Sequence, residues 1–139
     1  MANIIYNSYV DDVNKGNIDM NSDTFYAMLV TSTYTPNKDT HTKRSDVTNE
    51  VSGTGYVAGG QACAVTVTLD TANDRLDLTF ADNSWAASTI TARACVYYKR
   101  RGGAASADEL VFYGDFGTNI STTGGTFTLD YTGPLRYQN

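Results

Sequence analysis

Apolar and polar positions alternate with period two through much of the second half of the chain. Val65, Val67 and Leu69 alternate with Thr66, Thr68 and Asp70, and after Asn73-Asp74 the residues Leu76, Leu78 and Phe80 alternate with Arg75, Asp77 and Thr79. Two such runs joined by a short polar connection predict a β-hairpin. Further on, Ile90, Ala92, Ala94, Val96 and Tyr98 share one parity and Thr91, Arg93, Cys95, Tyr97 and Lys99 the other, which predicts one long strand. Gly102-Gly103 lead into a strand over Glu109 to Phe116, where Leu110, Phe112 and Phe116 alternate with Val111, Tyr113 and Asp115. A last strand after Gly124-Gly125 places Phe127, Leu129 and Tyr131 together.

The first half is less regular. Tyr6, Tyr9, Val10 and Val13 fall at i, i+3, i+4 and i+7, with Gly16 where a helix C-cap glycine belongs, so the spacing predicts one short helix. Thr24 to Thr31 is apolar on both parities, unlike a strand with one wet face. It is expected to lie centrally or to be covered on both sides. Ser32 to Asn49 is polar, contains Pro36 and reads as a long excursion, with room for a helical turn around Arg44 to Thr48. The glycines between Val51 and Gly60 do not sit between an apolar strand and a helix. They are expected to serve tight turns, bulges or close backbone approach rather than a phosphate.

At least six strands at hairpin-like spacing, without a βαβ rhythm, predict a mainly β chain. The expected architecture is an antiparallel β-sandwich or barrel-like domain with the short N-terminal helix at one end. The 139 residues suit a single domain, 1–139.

Composition narrows the function. With 41% hydrophobic and 18% charged residues the chain is globular rather than disordered, and a net charge of -5 argues against a phosphate-binding surface. No nucleic-acid partner is therefore expected. No apolar run approaches the ~20 residues that span a bilayer, and the first residues lack a basic segment followed by a long apolar one. The expectation is a soluble chain with no membrane partner. Cys63 and Cys95 fit neither a disulfide framework nor a CxxC site. If Cys63 shares the inward parity of Val65 while Cys95 shares that of Tyr97, a bridge between them is disfavoured unless a bulge intervenes.

Catalytic groups are sparse. The one histidine, His41, could act as a general base oriented by Asp39 or Asp46 with Ser45 as nucleophile, but a plain loop histidine is the expected role. Asp11, Asp12, Asp19 and Asp23 could gather round a calcium ion, yet their spacing matches no EF-hand. GxSxG, HExxH, P-loop and GxGxxG patterns are missing. No enzyme activity, metal or cofactor is expected.

The candidate sites are protein-binding ones. Among ten tyrosines, Tyr26, Tyr97 and Tyr113 lie opposite the inferred core parity, where large amphipathic rings suit an interface. Lys99, Arg100 and Arg101 form the one dense basic run, a finger that could salt-bridge an acidic partner. The doubly apolar strand has Tyr26, Met28 and Val30 on one face. These are covered either by the helix residues Tyr6, Tyr9, Val10 and Val13 or by a neighbouring copy, hence the expectation of a homo-oligomer, with a trimer as the favoured form.

Thr35-Pro36-Asn37-Lys38-Asp39-Thr40-His41, followed by Ser45-Asp46-Val47-Thr48-Asn49-Glu50-Val51-Ser52-Gly53-Thr54-Gly55-Tyr56-Val57-Ala58-Gly59-Gly60, resembles a family of small tailed-bacteriophage virion proteins. Asn7-Ser8-Tyr9, Asp23-Thr24-Phe25, Leu29-Val30-Thr31-Ser32, Ala81-Asp82-Asn83-Ser84-Trp85, Ser88-Thr89-Ile90-Thr91-Ala92-Arg93 and Asp115-Phe116-Gly117 extend the resemblance in the same order. It implies a particle component assembled in the host bacterial cytoplasm, with the major capsid protein or another virion protein as partner. A capsid decoration protein is the leading role. A tail or head-fibre module that stacks host sugars on Trp85 with Tyr97 or Tyr98 is the other. The resemblance carries over no catalytic residues.

Overall fold

The structure is a computed structural model that describes residues 2–131, 133 and 135–139. The chain is mainly β, in antiparallel sheets, with one short N-terminal helix, and forms a β-sandwich-like domain. The described strands are β1 (Ala2–Ile5), β2 (Phe25–Val30), β3 (Gln61–Cys63), β4 (Val65–Asp70), β5 (Arg75–Phe80), β6 (Asn83–Ser88), β7 (Thr91–Lys99), β8 (Leu110–Ser121), β9 (Gly125–Leu129) and β10 (Leu135–Gln138). The helix α1 spans Asn7–Asn14, and 3-10 turns cover Arg44–Asp46 and Ala105–Ala107.

Five strands form the main sheet in the order β1-β8-β7-β2-β3, beside a three-stranded sheet β10-β5-β4 and a two-stranded pair β6-β9. The expected hairpin is β4-β5, in register from Val65 opposite Phe80 to Asp70 opposite Arg75. Its turn closes through Asp74 at φ 52, a left-handed position that Asp tolerates better than most residues. Gly16 ends α1 at φ 80 and donates its N–H to the Val13 carbonyl, in the predicted C-terminal role. The chain leaves the main sheet at Ala64, between β3 and β4, and so crosses from one layer to the other within a single extended segment.

Both faces of the main sheet are covered by the chain itself. On the inner face Phe25, Ala27 and Leu29 of β2 join Cys95 and Tyr97 of β7, Phe112 of β8, Leu78 and Phe80 of β5, and Trp85 of β6 in the larger core. On the outer face Met28 and Val30 join Ala94, Val96, Tyr98, Leu110 and Tyr113, with Tyr6 and Tyr34 completing a second core. The two-sided apolar character of β2 follows directly from this.

The helix is not the cover of the outer face. Tyr9 and Val13 pack into the inner core and Val10 faces solvent; only Tyr6, ahead of α1, reaches the second core. The cover is the excursion, residues 32–49, extended by the glycine-rich segment to residue 60; it sets Tyr34 and Val47 against the outer face. Beyond the end of β3 it takes over the edge of β2: Val51 donates to the Leu29 carbonyl at 3.0 Å, and Thr31 to the Asn49 carbonyl at 2.9 Å. At its middle it joins the start of β8, where Lys43 bridges Glu109 and Leu110 donates to the Thr42 carbonyl at 3.2 Å.

Simple alternation fails at two irregularities. The β7-β8 register shifts between Tyr97 and Tyr98, which pair with Phe112 and Leu110, so Val111 is the extra residue. Leu110 therefore lies on the outer face with Tyr113, while Phe112 stays inside. A second shift between Ala92 and Ala94 puts Ala92 with Cys95 and Tyr97 in the inner core. Cys63 and Cys95 belong to the same core cluster, contrary to the parity expectation, because they pair with Phe25 and Leu29 on the inner face of β2; both are free thiols as expected.

Candidate functional site

Four of the seven expected interface residues are interior. Met28, Val30 and Tyr113 belong to the second core and Tyr97 to the first, each buried by its own chain. The expectation that these side chains form an outward docking face is corrected: Met28, Val30 and Tyr113 lie under the cover of the outer face, and Tyr97 packs inward on Phe80 and Phe112. The correction extends to the route by which a neighbouring copy was to cover β2.

Tyr26, Arg100 and Arg101 remain at the surface or near it. Arg100 places its guanidinium 4.4 Å from the centroid of the half-buried Tyr26 ring, which itself lies 6.1 Å from Tyr98. Arg101 forks onto Glu109 at 2.6 and 2.8 Å, and Lys99 holds Asp23 at 2.8 Å. Two of the three basic side chains are thus committed to internal partners, while Arg100 is exposed and stands over the half-buried Tyr26 ring. The basic run is a braced hairpin end rather than a loose finger.

Bracing comes from a cluster that the sequence did not announce. Asp108 and Glu109 are buried, yet each meets a cation: Arg44 bonds Asp108 at 2.8 Å, Arg101 bonds Glu109, and Lys43 stands 3.9 Å from Glu109. Burial raises the Glu109 pKa; the Arg101 hydrogen bonds and the charges of Lys43 and Arg101 outweigh this and hold the carboxyl below the ordinary glutamate value. The cluster ties the excursion (Lys43, Arg44) to the β7-β8 hairpin (Arg101, Asp108, Glu109). The available signal was two charge doublets, Lys43-Arg44 and Asp108-Glu109, which sequence alone reads as solvated loop.

The catalytic arrangement weighed for His41 is not assembled. Asp39 accepts from the Asn7 amide at 2.6 Å, and Asp46 accepts the N–H groups of Thr42 and Lys43 at 2.9 and 3.0 Å. His41 Nδ1 accepts the Asn37 N–H at 3.3 Å and meets the Tyr34 hydroxyl at 2.9 Å, with the two rings stacked. Asp11, Asp12 and Asp23 are likewise engaged with Lys15, Asn17 and Lys99, and among the described residues no three His, Cys, Asp or Glu side chains converge as a metal site. Trp85, Tyr97 and Tyr98 are buried and offer no platform for a sugar ring.

The glycine-rich segment is architectural. A Cβ at Gly60 would lie 1.9 Å from the Ala27 carbonyl oxygen, and one at Gly53 would lie 2.4 Å from that of Thr89, so backbones meet where these glycines stand. Between them Tyr56 accepts the Leu29 N–H at 3.0 Å and donates to Glu50 at 2.6 Å, and Glu50 also takes the Gly59 N–H at 2.7 Å. Comparison with known proteins finds no match for the chain: no family model, no curated protein and no solved structure matches it.

Proposed function

We propose that this chain is a non-catalytic structural protein of a bacteriophage particle, a decoration or cement subunit that binds the outer head surface and bridges capsid subunits. What supports the proposal is the likeness read in the sequence of residues 35–60, continued in order along the chain, to small tailed-phage virion proteins. The roles of that segment are compatible with a scaffold: its glycines, Tyr56 and Glu50 serve close packing, and its histidine is engaged by Tyr34. Partner contact falls to exposed groups, of which the Arg100 and Tyr26 pair is the candidate, since a cation over an aromatic ring suits an acidic protein surface.

Cryo-microscopy of the particle tests the proposal. Many copies at regular positions on the outer head lattice are expected. Copies confined to the tail would remove the decoration role, and purified particles free of the protein would overturn the virion assignment.

A further inference from the structure

The edge of β4 is open and unguarded. Among the described residues β4 has β5 as its one neighbour in the three-stranded sheet, and its sequence Val65-Thr66-Val67-Thr68-Leu69-Asp70 carries no Lys, Pro or bulge that would discourage pairing. The edges of the main sheet are short, β1 with 4 residues and β3 with 3, and β10, at the far edge of the β4 sheet, carries Arg136.

The direction of the free groups on β4 follows from one bond. Ala81 donates to the Ala64 carbonyl at 2.8 Å, and the pair 64–81 continues the register that sets Val65 opposite Phe80. In an antiparallel ladder the groups of alternate residues face alternate neighbours. Even positions of β4 therefore face β5, and Val65, Val67 and Leu69 turn their N–H and C=O groups outward. Among the described residues no backbone group outside the β5 ladder bonds to them. The Leu69 side chain, on the same parity, is 70% exposed although large and apolar.

We infer that a second copy of this chain docks on the β4 edge, the two β4 strands pairing antiparallel about a two-fold axis at Val67. That register sets Val67 against its own symmetry mate and Val65 against Leu69 of the other copy, so every outward N–H and C=O of the three residues finds a partner. Leu69 is then covered beside Val65, and Thr66 faces Thr68 of the other copy on the solvent side, a favourable cross-strand pair. The electrostatics fit a self-association. The chain has a net charge of -5, but the paired stretch is neutral, and Asp70, held by Arg75 at 3.3 Å, falls opposite Ala64 rather than another acid. The pairing is isologous and closed, which limits it to a dimer. It stands apart from the virion proposal, because it rests on β4 alone.

Sedimentation equilibrium of the full chain at micromolar concentration is the test. Wild type is expected at twice the chain mass of 15.1 kDa. The double variant Thr66→Lys, Thr68→Lys alters exposed positions and sets like charges against each other across the axis; it is expected at the single-chain mass with unchanged circular dichroism. Mixing it with Thr66→Glu, Thr68→Glu is expected to restore the dimer. Leu69→Lys, at the exposed end, gives the same reading should the double variant fold poorly. A wild-type monomer, a three-chain mass, or a dimer indifferent to these substitutions would overturn the inference.

Discussion

Tyr34 donates its hydroxyl hydrogen to Nδ1 of His41 at 2.9 Å and accepts that of Tyr6 at 2.9 Å, because the Asn37 N–H on the same Nδ1 fixes that nitrogen as an acceptor. The relay runs from the fully buried Tyr6 beside α1 to a half-buried ring in the excursion, and so stitches the cover to the second core. Tyr34→Phe keeps the ring and removes the link, leaving the Tyr6 hydroxyl buried without its partner. The expected loss is about 1–3 kcal/mol of unfolding free energy in urea titration. His41→Ala, which exposes the Tyr34 hydroxyl to water, is expected to cost less.

The Glu109 cluster makes stability depend on acid. Its folded pKa lies below the ordinary glutamate value, so its contribution is fully present above the unfolded pKa of about 4.3 and disappears as pH falls through the lower folded value. Arg101→Ala leaves a carboxylate whose side chain is 1% exposed, with Lys43 as its remaining ion-pair partner and Lys99 nearby; Arg101 itself is 43% exposed, which tempers the loss. A destabilisation of about 1–3 kcal/mol at neutral pH is expected, between the surface and buried cases. Melting followed from neutral to acid pH should show the difference from wild type shrinking as Glu109 becomes protonated.

Gly60 and Gly102 both have left-handed backbones, at φ 81 and 88, but differ in surroundings: an added methyl meets the Ala27 carbonyl in one and nothing within 4 Å in the other. Gly102→Ala should cost only conformational strain, about 1 kcal/mol. Gly60→Ala adds a backbone collision and should cost about 3 kcal/mol or more, displacing the excursion from β2. Parallel denaturation curves of the two variants make the comparison.

Much of this fold was legible in the sequence. The β4-β5 alternation, the Gly16 stop and the excursion with its turn at Arg44–Asp46 all follow from local pattern. What was not legible is long-range. The Val111 bulge moves Leu110 to the other face, and no single-strand parity can reveal that. Tyr97 and Tyr113 looked like interface rings because a parity argument grants a sheet one core, whereas this sheet has two. The short strands β1, β3 and β10 hold too few residues to display a period, and β6 is broken by its own register shift between Trp85 and Ser88. Of the candidate site, the Arg100 and Tyr26 pair lies among the predicted residues, while the Asp108 pair with Arg44 and the Lys43 approach to Glu109 depend on cations more than sixty residues away in sequence.

That the excursion is a fixed cover of the outer face, so that β2 is closed on both sides within one chain, accounts for the buried outer-face tyrosines, the buried acids and the glycine contacts together. Amide hydrogen exchange on the isolated protein tests it most directly. The N–H groups of Leu29, held by Tyr56, and of Val51, held by the Leu29 carbonyl, are expected to exchange as slowly as the central strands β7 and β8. Rapid exchange at Val51 and through residues 32–60, with β7 and β8 still protected, would contradict the account and return the second face of the sheet to the surface.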